Sequence, residues 1–235
     1  MPTANSSYDD PRLDNPVYEA LSSTHARFAQ RNGRALRYDP EVAPFLAVPS
    51  DASAADWRDA VELMPPGTMA GILHDGSALP ESVEVADGFE LVQMIGADVV
   101  GCADPEVATL GPADVPEMLE LVELTQPGPF LTRTIELGRY VGIRRDGSLA
   151  AMAGERLRFE GWTEISAVCT APAHRGQGLA SRLMATLVAD IQRRSEGVFL
   201  HVLRSNTGAI RLYEELGFRA RGGGVISVLA RPGAD

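Results

Sequence analysis

Lysine is absent from this chain of 235 residues, and all 21 of its basic residues are arginine. Without an ammonium side chain, a phosphate-binding loop ending in Gly-Lys-Ser/Thr, a lysine Schiff base and a protein-kinase lysine are all excluded. GC-rich codon usage accounts for the absence. Cysteine is scarce as well: Cys102 and Cys169 are too few for a disulfide framework or a cysteine-built zinc site, and a reducing compartment is expected. His25 and His74 have no ligand-spaced partners, so no metal is expected. No apolar run approaches the roughly 18 residues that span a bilayer, and the opening MPTANSSYDD lacks the basic-then-apolar order of a secretion signal. The expectation is a cytoplasmic protein with no membrane partner.

Positive charge is in deficit, with a net of −11. A nucleic-acid partner is therefore not expected, because phosphate neutralisation needs a basic surface. The deficit is uneven. Residues 1–103 hold 16 acidic and 6 basic residues, for a net of −10, and residues 104–235 hold 16 acidic residues and 15 Arg, for a net of −1. An anionic ligand would prefer the second half.

What is present reads as an ordinary globular chain, 45% apolar and 23% charged. Asn15-Pro16 predicts a helix start, with Val17, Leu21, Thr24 and Phe28 at helical spacing and Gly33 closing it. A second helix is predicted from Ser53, with Asp56 as its capping pair and Pro65-Pro66 as its stop. Strand-like runs cover 45–48, 68–73 and 89–95. GCADP at 101–105 marks a domain boundary, separating an N-terminal α/β region (1–103) from a second domain (104–235). Asp114 to Glu117 then caps a helix, and Pro127-Gly-Pro129 breaks it. A short second helix follows through Ile135, and Gly138 ends it. A hairpin turns at Asp146-Gly147, and strands and helices alternate to the end: strand 163–170, helix from Leu179, strand 198–203, helix from Asn206, strand 225–230.

The most informative stretch is the strand Thr163–Thr170, the turn Ala171-Pro-Ala-His-Arg-Gly-Gln-Gly178 and the amphipathic helix that follows. Gly176 and Gly178 let the backbone approach a ligand closely, and the unpaired N–H groups of the first helical turn favour an anion such as pyrophosphate. The dinucleotide fingerprint Gly-x-Gly-x-x-Gly is not met, since Leu179, Ala180 and Ser181 follow Gly178. Arg175 to Ala180 instead reads Arg-x-x-Gly-x-Ala, preceded by TEISAVCTAP and followed by NTGAIRLYEELGF. In these motifs the chain resembles the GNAT superfamily of acetyl-CoA-dependent N-acetyltransferases over residues 104–231. PGPFLTRTIELGRYVGI looks like a bacterial subgroup that carries an N-terminal extension, here residues 1–103.

The resemblance implies an α/β (α+β) fold: a mixed, mostly antiparallel central sheet, splayed between the family's fourth and fifth strands and flanked by helices. Those strands map onto 163–170 and 198–203. It implies acetyl-CoA as co-substrate, held by Arg175, Gly176, Gln177, Gly178, Leu179, Ala180 and Ser181, by main-chain groups of Val168, Cys169 and Thr170, and by Asn206. It further implies acetyl transfer to a primary amine, on a small molecule or a peptide, by direct attack in a ternary complex. Dimers are common among relatives, so a homodimer is an option.

Such chemistry needs a proton donor for the departing thiolate and an acceptor for the amine proton. Tyr213 shares one helix stripe with Asn206 and Ile210 and is the candidate acid. Glu164 shares a strand face with Ser166, Val168 and Thr170 on simple alternation and is the candidate base, with Glu155 in reserve. Cys169 alternates with Ile165 and Ala167 and reads as packing; His201, between Phe199 and Leu203, reads as a core or hydrogen-bonded histidine. Phe130 and Trp162 are expected to line the acceptor route. The alternative is a non-catalytic acyl-CoA sensor or scaffold, which would need the turn but not the proton-transfer groups.

Overall fold

The computed structural model describes residues 9–233. Helix α1 (Pro16–Ser22) begins where Asn15-Pro16 predicts, although the Asn15 side chain donates to Val48 O at 2.8 Å rather than capping the helix. The helix is shorter than its apolar spacing suggests. After a 3-10 turn at Ala26–Phe28 the chain forms a hairpin, β1 (Ala29–Asn32) and β2 (Ala35–Tyr38), with Gly33 at φ 54° in the turn. Asn32-Gly33 is thus a hairpin signal and not the end of a helix. There follow β3 (Phe45–Ala47), α2 (Ala54–Glu62), β4 (Thr68–His74) and β5 (Glu84–Gly96). Helix α2 carries the full capping box, with Ser53 and Asp56 each bonding the other's backbone.

The remaining elements are β6 (Ala108–Leu110), α3 (Val115–Thr125), β7 (Tyr140–Arg145), β8 (Ser148–Phe159), β9 (Trp162–Thr170), α4 (Leu179–Arg193), β10 (Gly197–Leu203), α5 (Thr207–Glu215) and β11 (Phe218–Arg231). The helix expected through Ile135 is only a 3-10 turn, Thr134–Leu137.

The eleven strands of the described residues belong to one curled sheet, ordered β1-β2-β3-β4-β11-β5-β10-β9-β8-β7-β6. Pairing is antiparallel except for β3 with β4 and β9 with β10. The expected division at residue 103 does not divide this sheet, because β5, from the first hundred residues, lies between β10 and β11. Leu183, Met184, Leu187, Val188 and Ile191 of α4 are fully buried against Val141, Ile143, Ala151, Ile165, Val198 and Leu200. Leu13, Val17 and Leu21 pack with Phe45, Phe159, Trp162 and Phe199 in a second cluster, and Met118 and Leu121 of α3 pack with Phe130, Tyr140, Met152 and Cys169 in a third. A buried leucine contributes about 1.5–3 kcal/mol, so α4 is firmly seated.

Candidate active site

Strands β9 and β10 pair only over Gly197↔Trp162, Val198↔Thr163 and Phe199↔Glu164. Beyond that point they part. Their outer edges stay engaged: β10 continues against β5 as far as Leu203↔Leu91, and β9 continues against β8 as far as Thr170↔Ala151. The wedge between them opens into a cleft of about 600 Å³. A second cavity of about 630 Å³ shares His201 as a wall and is lined by Trp57, His74, Gln93, Arg221 and Gly222–Gly224, but none of the glycine turn and none of β9 lines it.

Around the cleft lie Val168, Cys169, Thr170 and Arg175 on one side, Val202, Leu203, Asn206, Ala209 and Tyr213 on the other, and 126–129 at the rim. The turn beyond Thr170 has its glycines in the left-handed region, Gly176 at φ 76° and Gly178 at φ 71°. A Cβ on either would meet nothing within 4 Å. The N–H groups of 176–178 have no backbone acceptor among the described residues, and those of Leu179, Ala180 and Ser181 open α4, where no intrahelical partner exists. Six amides without a backbone partner thus gather at the positive end of a 15-residue helix, next in the chain to Arg175, which lines the cleft.

Asn206 caps α5 by accepting from Ala209 N at 3.1 Å, as its position predicts. Tyr213 is the one buried residue of α5 and lines the cleft. Burial pushes its hydroxyl up to about 12, so it is held protonated at neutral pH. Burial likewise pushes the Cys169 thiol up to about 11, and Cys169 packs against Phe130, Tyr140 and Met152. It is a poor nucleophile.

The expected base and acceptor wall need correcting. Ala167 has φ 53°, and the β8–β9 register slips there, from Gly154↔Ser166 to Met152↔Cys169. This bulge reverses the alternation on which the face assignments rested. Ile165 and Val168 pack on the α4 side, and Ala167 and Cys169 on the α3 side. Glu164 does not line the cleft. It is fully buried, accepting from Arg156 Nε at 2.8 Å, Arg156 Nη2 at 2.7 Å and His201 Nδ1 at 2.7 Å. Burial alone would raise its pKa, but the Arg156 charge and these bonds outweigh burial and hold it at about 2. Glu155 is also buried away from the cleft and bound by Arg194 at 2.9 Å. Trp162 is 1% exposed, donates from Nε1 to Asp10 Oδ2 at 2.9 Å and packs on Phe199; Phe130 is buried edge-on against Tyr140. Neither lines the cleft, whose rim at this point is Gln126–Pro129.

The residue that sequence reasoning missed is Arg156. It lines the cleft, stands over the Phe45 ring at 5.3 Å and is anchored by Glu164. An ionised carboxylate only accepts, so His201 Nδ1 must donate to Glu164 and its Nε2 accepts from Gln93 Nε2 at 3.1 Å. Gln93 in turn donates to Leu13 O at 2.7 Å and accepts from Arg221 at 3.1 Å.

The fold that brings together the parted strands, the glycine turn and the tyrosine on the facing helix is shared by other proteins. A crystal structure from Novosphingobium aromaticivorans, named for the GNAT family of acetyltransferases, matches with a TM-score of 0.86 and 38% identity over 95% of this chain and 99% of that one. The chain belongs to the GNAT family. The family model described as FR47-like protein matches residues 140–224. A GCN5-related N-acetyltransferase from Kribbella flavida, 18% identical over 94% of this chain and 96% of that one, has the same fold at a TM-score of 0.62. No curated protein matches the chain.

GNAT acetyltransferases in general use acetyl-CoA, and the turn of this member fits its diphosphate. The left-handed glycines leave the space beside the turn open, and the neighbouring amides have no backbone partner.

Proposed function

We propose that this GNAT protein transfers the acetyl group of acetyl-CoA to a primary amine by direct attack within a ternary complex. The observation that carries the reading is the open wedge between β9 and β10, lined by Arg175 at the start of the glycine turn and by Tyr213 of the facing helix.

Acetyl-CoA supplies an activated thioester carbonyl. The residues of this chain bind, orient and move protons around it. Amides 176–181 and Arg175 hold the diphosphate. The inner edge of β9 at Val168, Cys169 and Thr170, left unpaired by β10, offers main-chain donors and acceptors to the pantetheine arm and to the carbonyl oxygen as it gains charge. Asn206 spends its side-chain oxygen on the α5 cap, which leaves its amide NH₂ for the arm. Tyr213, protonated at neutral pH, donates to the departing sulfur. Among the described residues no carboxylate lines the cleft, so the amine proton leaves to water.

Calorimetric titration with acetyl-CoA tests the binding half of this reading, and absence of saturable binding at millimolar donor ends it. Thiol release over an amine panel tests the transfer half. A protein that binds the donor but releases no thiol with any amine is a sensor and not an enzyme.

A further inference from the structure

The lining of the cleft narrows the acceptor. Beyond the donor-facing residues it is formed by Pro44, Phe45, Met69, Phe89, Leu91, Ile226 and Val228, with Met69, Phe89 and Leu203 exposed at 61%, 43% and 43%. Of the polar side chains on this lining, His201 has both ring nitrogens taken by Glu164 and Gln93, which leaves Arg156 as the charged group of this wall. Arg156 is 9% exposed, and Glu164 occupies its Nε and Nη2. Its Nη1 has no partner among the described residues, nor is it among the polar atoms sealed from solvent without one. A guanidinium donor inside an apolar cleft must meet an oxygen to repay its desolvation. Because Glu164 already neutralises the arginine, a neutral carbonyl completes the site without adding charge.

The missing base points the same way. Among the described residues no carboxylate lines the cleft and Glu164 is locked away, so turnover depends on the fraction of acceptor amine that is already neutral in solution. An α-amine beside an amide carbonyl has a pKa of about 7.7–8.0, against about 10.4 for a lysine-like amine, and near neutral pH its neutral fraction is roughly 300-fold larger. Polyamines fit poorly on both counts.

We propose that the acceptor is an apolar α-amino amide, the chemistry of a peptide N-terminus, seated with its carbonyl oxygen on Nη1 of Arg156 and its side chain among Phe45, Met69, Phe89 and Leu91. This rests on the acetyltransferase reading above. In the transfer the α-nitrogen lone pair forms the bond to the acetyl carbon and the carbon–sulfur bond breaks with its pair on sulfur. The nitrogen gives one proton to water, and the sulfur takes one from Tyr213, which water restores.

The test is thiol release from acetyl-CoA near neutral pH with leucinamide, leucine, isopentylamine and spermidine, alongside calorimetry with acetyl-CoA alone. The expected order of kcat/KM is leucinamide first, leucine second and the two simple amines at least about tenfold below leucinamide, an advantage that persists once each rate is referred to neutral amine. Leucine equal to or above leucinamide overturns the neutral-carbonyl site. A simple amine in first place, or donor binding with no turnover of leucinamide, overturns the proposal and leaves the acetyl-CoA reading standing, whereas loss of donor binding removes both. Arg156→Lys keeps a cation against Glu164 but withdraws Nη1, and should cut the leucinamide-to-isopentylamine ratio at least about tenfold. If that variant does not fold, the panel on the unaltered protein decides alone.

Discussion

Glu164→Gln separates the role of the buried ion pair from that of a catalytic base. The substitution keeps the size of the side chain, removes its charge and turns one of two acceptor oxygens into an NH₂ group facing an arginine or histidine N–H. Holding the carboxyl at about 2 instead of the ordinary 4.5 is worth on the order of 3 kcal/mol to the folded state. Leaving Arg156 buried without its counter-charge costs about 3–5 kcal/mol, a fall in Tm of about 6–20 °C for a chain of this size. The pH dependence has a definite sign. The pKa is lower in the folded state, so the contribution is complete above the unfolded value of 4.5 and is lost as pH falls through about 2. The parent and the variant should therefore differ most in urea unfolding at neutral pH and converge in acid. In steady-state kinetics at saturating acetyl-CoA, the variant should keep whatever titration limb the parent shows near neutrality. A variant as stable as the parent that has lost that limb would refute the reasoning and return Glu164 to the role of base.

Tyr213→Phe should lower kcat at least about tenfold while leaving acetyl-CoA affinity nearly unchanged, because only the proton donor is withdrawn; unchanged turnover would remove the hydroxyl from the chemistry. Gly178→Ala costs about 1 kcal/mol of backbone strain at φ 71° and sets a methyl in the diphosphate cradle, so calorimetry should show at least a tenfold loss of acetyl-CoA affinity with a drop of only a few degrees in Tm. Residues 104–235 expressed alone should fail to give a cooperative unfolding transition. Without β5 the facing edges of β10 and β11 lose their partner, and Leu91, Met94 and Ile95, now at 6%, 0% and 4% exposure, leave their neighbours uncovered. A sharp transition from that fragment would show that the first hundred residues are dispensable to the fold.

The parts of this molecule legible in its sequence are those set by local chemistry. The turn from Ala171 to Gly178 is bounded by a strand and an amphipathic helix, so glycine placement and periodicity suffice to locate it. The Asn206–Tyr213 stripe depends only on helical spacing and an N-cap. The bulge at Ala167 left no trace, because alanine carries no preference for positive φ, and every face assignment across β9 inherited the error. An ion pair of Glu164 with an arginine is a reading the sequence allows beside that of a base, but which arginine was equally hidden. Two arginines stand in the run AAMAGERLRF, and nothing in it indicates that Arg156 and not Arg158 will bury beside a carboxylate eight residues on. Aromatic residues misled in the opposite sense: Trp162 and Phe130 were assigned to a ligand wall, yet long-range contacts with Asp10, Phe199 and Tyr140 hold them inside. The last strand was read only from Val225. It begins at Phe218 because pairing with β5 outweighs the weak strand preference of Gly222–Gly224.

The position of the buried network explains how the wedge keeps its shape. Glu164 is the last residue of β9 that pairs with β10, opposite Phe199, and His201 lies two residues farther along β10. Arg156 reaches Glu164 from β8, and Gln93 reaches His201 from β5. Four neighbouring strands are thus cross-linked by side chains at the point where backbone pairing between the middle two ends. Two parallel strands that stop pairing would otherwise expose amides free to re-form a ladder, which would close the cleft from its apex. Here the bulge at Ala167 shifts the register of β9 immediately beyond Glu164, while β8 and β5 hold the two outer edges. The charged cluster sits where the strands separate and holds Arg156 at the wall of the cleft. In the proposed transfer, geometry for the donor and chemistry for the acceptor would then depend on the same four residues.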